Sequence, residues 1–235
     1  DDWTSLPWKP KVEHGMGHRN YLLEENIKFF KKHKTGPPFE MADVEDSAYF
    51  DGKTTLEALN RLNQLSKNQK PFFLAVGFVK PHLPFNAPKK YWDLYDHSKI
   101  QLPGNPNQPT NAPPKAKHAF GELRKFDGIP KNPLPVSDSM ARKLIHGYYA
   151  CVSYIDAQIG ILLEGLDNLN LSENTIVFIL GDHGWSLGEH GLWAKHSPFD
   201  LATRTPLIVR TPEHLNETYK SGRAHGLVEF IDIFP

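Results

Sequence analysis

Cysteine is nearly absent: one residue, Cys151, in 235. A single thiol excludes an internal disulfide framework and a cysteine-built metal cluster. Long hydrophobic runs are missing as well. The longest, Phe72–Val79, has a glycine inside it and falls far short of the roughly 18 apolar residues of a membrane-spanning helix. Neither charge is in excess, since 27 Lys+Arg balance 27 Asp+Glu. That balance argues against a dedicated nucleic-acid binder, whose footprint is basic. Neither nucleic acid nor a membrane is therefore expected as a partner, and no internal repeat is apparent.

What is present describes a globular enzyme-sized chain. The length allows one large domain, or one domain with part of another. A hydrophobic content of 39% with 23% charged residues is that of a chain with a sizeable core. Prolines number 20, well above the background of roughly 5%, and they cluster over 102–135. The chain opens on Asp1 without a Met and closes on an apolar run, Gly226–Pro235. Both features lead to the expectation of a piece of a longer chain. Two sequons, Asn170-Leu-Ser172 and Asn216-Glu-Thr218, are close to what chance supplies.

Local patterns divide the chain. Residues 1–50 read as loops with a short helix near 21–33. Thr54-Thr-Leu-Glu57 reads as a capping box, followed by Leu56, Ala58, Leu59, Leu62 and Leu65 at helical spacing and a stop before Pro71. Residues 71–78 read as a strand buried on both faces. Pro81 and Pro84 make 79–85 a loop at its carboxyl end, carrying Lys80 and His82. Residues 86–136 read as a long irregular insertion, either a bland surface excursion or a wall that shapes a substrate site. A long helix follows, capped by Ser137 or Ser139, with Leu144, Tyr148, Val152, Ile155, Ile159, Leu162, Leu163 and Leu166 as its apolar stripe. It ends around Asn168–Asn170. Thr175–Leu180 and Pro206–Arg210 read as two further strands. Alternating helices and apolar strands imply an α/β fold, a mostly parallel sheet sandwiched by helices, with ligands at the carboxyl ends of the strands.

The sharpest chemistry lies just past the second strand, in Gly181-Asp182-His183-Gly184. Flanking glycines permit a tight turn and close backbone approach, and a carboxylate beside an imidazole can hold one metal ion with groups from elsewhere. A hydrogen-bonded loop Asp beside an incidental His is the bland alternative. Cys151 reads as a small buried hydrophobe. Taken alone, Lys195 reads as an exposed charge and His82 as a polar loop residue. Trp185 and Trp193 read as packing anchors, Trp193 above all, and Glu189 and His190 as a pair within the loop or as support for the site.

The joint pattern goes further. Gly181-Asp-His-Gly-Trp-Ser-Leu-Gly-Glu-His-Gly-Leu-Trp-Ala-Lys-His-Ser-Pro-Phe-Asp200 and Thr203-Arg-Thr-Pro-Leu-Ile-Val-Arg210, with Pro71–Phe85 and Tyr149-Ala-Cys-Val-Ser-Tyr-Ile-Asp156 upstream, resemble the type I sulfatases of the alkaline phosphatase superfamily. The matching blocks span about 50–235. The resemblance implies an alkaline-phosphatase-like sulfatase fold, here incomplete, with residues 1–235 the C-terminal portion of its main catalytic domain. It implies hydrolysis of a sulfate ester on a sulfated glycan. Iduronate-2-sulfate in heparan or dermatan sulfate is one candidate substrate, and a marine or algal glycan another.

Site roles follow from the same likeness. Asp182 and His183 would be metal ligands, and His82 and Lys195 catalytic. Trp185, Lys195 and His82 would contact substrate. The implied cofactors are Ca²⁺, with Mg²⁺ or a transition metal as alternatives, and a formylglycine made from the Cys of a C-x-P-S-R motif by a formylglycine-generating enzyme. No C-x-P-S-R occurs in this chain, so the nucleophile is expected outside it. An extracytoplasmic location, periplasmic or secreted, is expected, with a lysosome as the alternative. A phosphodiesterase or phosphomutase of the same superfamily, and a catalytically dead binding module, remain the competing expectations.

Overall fold

The computed structural model describes residues 5–11, 20–68, 70–116, 118–132, 134–214 and 222–233. The sequon at Asn216–Thr218 and the pair Asp1-Asp2 lie outside them. In chain order the helices are α1 (Glu24–His33), α2 (Phe50–Ser66), α3 (Lys89–Trp92), α4 (Asp138–Asn168) and α5 (Asp200–Thr203). The strands are β1 (Phe39–Ala42), β2 (Phe85–Pro88), β3 (Val177–Leu180), β4 (Ser186–Leu187), β5 (Trp193–Ala194) and β6 (Leu207–Arg210).

The long helix α4 is the spine. Ser137 caps it by accepting from the Met140 amide, which satisfies one of the orphan donors of the first turn. Leu144 and Leu166 of the expected stripe are buried, but most of the buried face, Ala141, Gly147, Ala150, Cys151, Tyr154 and Gln158, lies one step around the helix from it; Val152 is exposed. Small residues decide this. A Cβ on Gly147 would stand 2.7 Å from Trp92 and 2.9 Å from Phe85, so the helix turns its glycine toward the bulkiest neighbours and brings β2 and α3 against it. Cys151 is fully buried, as its small apolar reading anticipates.

Helix α2 begins at Phe50, four residues before the expected capping box. Thr54 and Thr55 instead donate back to the carbonyls of Phe50 and Asp51. The early start follows from docking on α4: the Tyr154 hydroxyl accepts from Gly52 N at 2.7 Å and donates to Asp46 O at 2.8 Å. Ala58 and Leu62 are buried as expected, but Leu56 is exposed because the buried face runs through Asp51, Gly52 and Thr55. The helix stops at Ser66, before Pro71.

β1 and β2 pair in parallel, Phe39 opposite Phe85. β3 and β6 pair antiparallel, as do β4 and β5. Two expectations change here. Residues 71–78 form no assigned strand and alternate between exposed and half-buried positions, with Phe73 at 71% exposure. β3 and β6 likewise leave Phe178, Leu180, Ile208 and Val209 exposed. These segments have the residue types of doubly covered strands, yet among the described residues nothing covers them. Pairing also reaches β2, which begins at Phe85 directly after Pro84 and so occupies the end of the expected loop 79–85 and the start of the expected irregular insertion.

The insertion at 86–136 is more ordered than its proline content implies. It contributes Tyr91, Trp92, Ile100, Phe120, Leu123, Phe126 and Ile129 to the core. Arg124 ties its far half together, donating to the carbonyls of Ala119 (2.8 Å), Leu134 (3.0 Å) and Pro130 while lying 3.9 Å above the Phe120 ring. One planar fork thereby satisfies three backbone acceptors that no regular element would pair.

Candidate active site

The segment after β3 turns sharply and returns as the β4–β5 hairpin. Gly184 fits that turn: its amide donates to Ala202 O at 2.9 Å, and a Cβ there would collide with the Leu201 carbonyl. The hairpin register pairs Ser186 with Ala194. It therefore sets Trp185, just before β4, beside Lys195, just after β5, with Nζ 5.3 Å from the indole ring. Glu189 serves the loop itself, accepting from Leu187 N at 2.7 Å. His190 packs on Phe199 and bonds the insertion at Asn105 O. Trp193 is a buried anchor, as expected.

His82 arrives from the other side, on a loop fastened by two buried charges. The Asp51 carboxylate, at the start of α2, accepts from Val79 N (2.7 Å) and Lys80 N (3.1 Å). Lys80 Nζ donates to the carbonyls of His82 (2.7 Å) and Pro84 (2.6 Å). Burial pushes the Asp51 carboxyl up and the Lys80 ammonium down, while each pulls the other back toward its charged form.

His82 and Lys195 meet on a residue that sequence reasoning missed. Glu122 Oε1 lies 2.7 Å from His82 Nε2 and 3.2 Å from Lys195 Nζ; His196 Nδ1 is 3.9 Å from Oε2. All three main partners are partly buried. Burial pushes the Glu122 carboxyl up, but His82, Lys195 and His196 outweigh it and hold it below the usual carboxylate range. His82 is driven down by burial first, raised by the Leu83 carbonyl, lowered by Lys195, raised by Glu122 and lowered by Lys80. A signal for Glu122 does exist: 115–129 is one of two long proline-free stretches of the insertion, with Phe120, Leu123 and Phe126 at three-residue spacing around it.

Trp185 joins this cluster to Asp182 and His183. Its ring contacts His82 edge-on at 5.8 Å and stacks near His183 at 6.2 Å, and its Nε1 is buried without a hydrogen-bond partner. Asp182 is 86% exposed at its side chain, and its Oδ1 accepts from His183 N at 3.0 Å. His183 Nδ1 lies 2.8 Å from Gly184 O. Assigning the ring proton there leaves a lone pair on Nε2, facing Asp182 Oδ2 at 3.4 Å. Two lone pairs facing each other are relieved by a cation, and the spacing suits two donors roughly 2.3–2.6 Å from a common ion. The pair thus fits one edge of a divalent-cation site. Among the described residues no group of three or more His, Cys, Asp or Glu gathers around such a point.

The chain is similar to known sulfatases. Iduronate 2-sulfatase of Mus musculus is 41% identical over 182 residues, covering 74% of this chain and 33% of that protein. Iduronate 2-sulfatase of Homo sapiens is 38% identical over 204 residues, covering 84% and 36%. The chain spans about a third of the length of these relatives. A phosphonate monoester hydrolase from Silicibacter pomeroyi superposes with a TM-score of 0.58 at 24% identity, over 72% of this chain and 34% of that one, a likeness of fold alone. The sulfatase family pattern itself runs over residues 7–235, through the turn of Asp182 and His183, the loop of His82 and the hairpin of Lys195, and the chain belongs to the sulfatase family.

Proposed function

We propose that this chain carries the cation-binding and leaving-group face of a sulfuric ester hydrolase acting on a sulfated sugar, as the C-terminal portion of its catalytic domain. The observation that carries this is the meeting of His82 Nε2 and Lys195 Nζ on one oxygen, beside the ring that also contacts His183. Two donors able to bear positive charge and aimed at one anionic oxygen suit the oxygens of a sulfate ester. Lys195 binds a sulfuryl oxygen as a point charge. His82 gives the Nε2 proton to the sugar oxygen as the S–O bond breaks and its electron pair moves onto that oxygen. Trp185 offers a ring edge to the sugar and keeps water from the donors.

Asp182 and His183 would hold the divalent cation, Ca²⁺ in preference to Mg²⁺ or a transition metal. Held by Asp182 and His183, such an ion would supply polarisation of the sulfuryl oxygens and offset their developing charge. The nucleophile in this proposal is a formylglycine from a Cys outside this chain, produced by a formylglycine-generating enzyme. Cys151 is unsuited to the role: burial pushes its thiol up to about 12. Likeness to iduronate 2-sulfatases of mouse and human at 41% and 38% identity supports an iduronate 2-sulfate substrate. A glycan substrate suits a location outside the cytoplasm. Among the described residues no helix is long and apolar enough to cross a membrane.

The test is Asp182→Ala in the complete reading frame, co-expressed with a formylglycine-generating enzyme. Turnover of a 2-sulfated iduronate disaccharide should vanish and the dependence on divalent cation should weaken. Wild-type turnover in that variant rejects the assignment.

A further inference from the structure

Glu122 belongs to none of the motifs that identify the family. It comes from the insertion, yet its Oε1 sits where the two candidate donors converge. His82 is unusually committed there. Its Nδ1 lies 2.6 Å from the Leu83 carbonyl and its Nε2 lies 2.7 Å from Glu122. Both neighbours are acceptors only, so a neutral ring, with one N–H and one lone pair, would face one of them with its lone pair. The geometry is satisfied when both nitrogens donate. Lys195 is a second cation beside the first, and two neighbouring partly buried cations repel unless a counter-charge lies between them.

Among the described residues the groups facing His82 include Glu122 from the insertion, Lys195 after β5, Lys80 on its own loop, the Leu83 carbonyl and the Trp185 ring; His196 reaches it through Glu122. Glu122 is the one carboxylate among them. Its second oxygen is buried without a hydrogen-bond partner, so the backbone of the insertion does not consume the residue's charge.

We propose that Glu122 is a positioning residue, whose carboxylate favours the double-donor form of His82 against the burial that opposes it and keeps Lys195 beside it at the point where the ester oxygens bind. This rests on the sulfatase function proposed above. When substrate arrives, its anionic oxygens compete for the same N–H groups, and Glu122 remains as the counter-charge that lets both cations stay. Without that charge, His82 gives up its second proton more readily and the leaving oxygen loses its donor.

The test compares wild type, Glu122→Gln and Glu122→Asp in the complete, formylglycine-bearing enzyme. The kinetic readout is kcat and KM against pH on a 2-sulfated iduronate disaccharide. The second readout is the ¹⁵N titration of the His82 ring, assigned by its loss in His82→Gln, and it needs no turnover. In Glu122→Gln the alkaline limb of kcat should move toward acid, lowering kcat at the alkaline end roughly tenfold. KM should not rise, because a negative charge has left the site of an anionic substrate. The His82 titration should move the same way, and Glu122→Asp should keep both near wild type.

A wild-type limb and a wild-type titration in Glu122→Gln would overturn the proposal. So would an equal fractional loss of kcat at every pH, the mark of a merely structural contact. If the wild-type enzyme cleaves no sulfate ester while the titration still moves, the proposed function fails and the Glu122–His82 linkage stands.

Discussion

Asp51→Asn is the sharpest probe of how the fold aims His82. The side chain is almost fully buried, and its two oxygens receive different amides, Val79 N at 2.7 Å and Lys80 N at 3.1 Å. Asparagine keeps the shape but only one acceptor, and its NH₂ would meet the second amide donor to donor. A hydrogen bond to a charged group contributes about 1.5–3 kcal/mol, and a stranded buried donor costs about 1–3 kcal/mol. The Lys80 ammonium also loses the opposite charge that Asp51 sets against it. Relief from burying a carboxylate offsets part of this, since burial already pushes the Asp51 carboxyl up. The net expectation is a loss of about 2–4 kcal/mol. Urea denaturation of the complete enzyme measures it as a fall in midpoint at constant m-value. Because Lys80 Nζ holds the His82 carbonyl, kcat should fall as well, by more than KM rises. A variant within about 0.5 kcal/mol of wild type, the range of an ordinary surface change, would refute the claim that this carboxylate fastens the loop.

Four further outcomes follow from the same contacts. Arg124→Met strips three carbonyls of their donor and should loosen the insertion, so proteolysis within 119–134 should quicken and kcat should fall with metal affinity retained. Lys195→Ala should lower kcat more than it raises KM, as expected of a contact that strengthens in the transition state; an effect on KM alone would contradict it. The pH dependence has a definite sign. Burial first, then Lys195 and Lys80, lower the pKa of His82, so in the acid window below the ordinary imidazole value the unfolded chain binds more protons and stability should fall as pH drops through it; His82→Gln should flatten that slope in urea titrations. The chain Asp1–Pro235 on its own should hydrolyse no aryl or sugar sulfate, because it contains no C-x-P-S-R and its one thiol is buried, and turnover by it would revive a serine or metal-hydroxide mechanism.

The sequence was most legible where one physical signal dominated. Ser137 and the apolar periodicity marked α4 to within a residue at its start, and Pro71 marked the end of α2. Glycines around Asp182-His183 marked a turn with close approach, and the Leu201 carbonyl at Gly184 is that approach. Legibility failed where tertiary contacts overrode local pattern. The Thr54–Glu57 box lost to the docking of Gly52 on the Tyr154 hydroxyl. The α4 stripe was displaced because packing against Trp92 and Phe85 selected small residues over large ones. The most consequential omission was Glu122. One acidic residue in a proline-rich insertion that also holds Asp93, Asp96 and Asp127 has no periodic signature, and its value comes from two partners, at positions 82 and 195, that only the folded chain brings to one oxygen.

The most direct measurement is the ratio of kcat/KM for a sugar sulfate monoester to that for a phosphodiester of the same alcohol. It should be made on the complete enzyme after formylglycine maturation, alongside His82→Ala and Lys195→Ala. The account predicts a clear preference for the sulfate ester that collapses in both variants. A preference for the phosphodiester, or a sulfate preference untouched by losing His82 and Lys195, would contradict it.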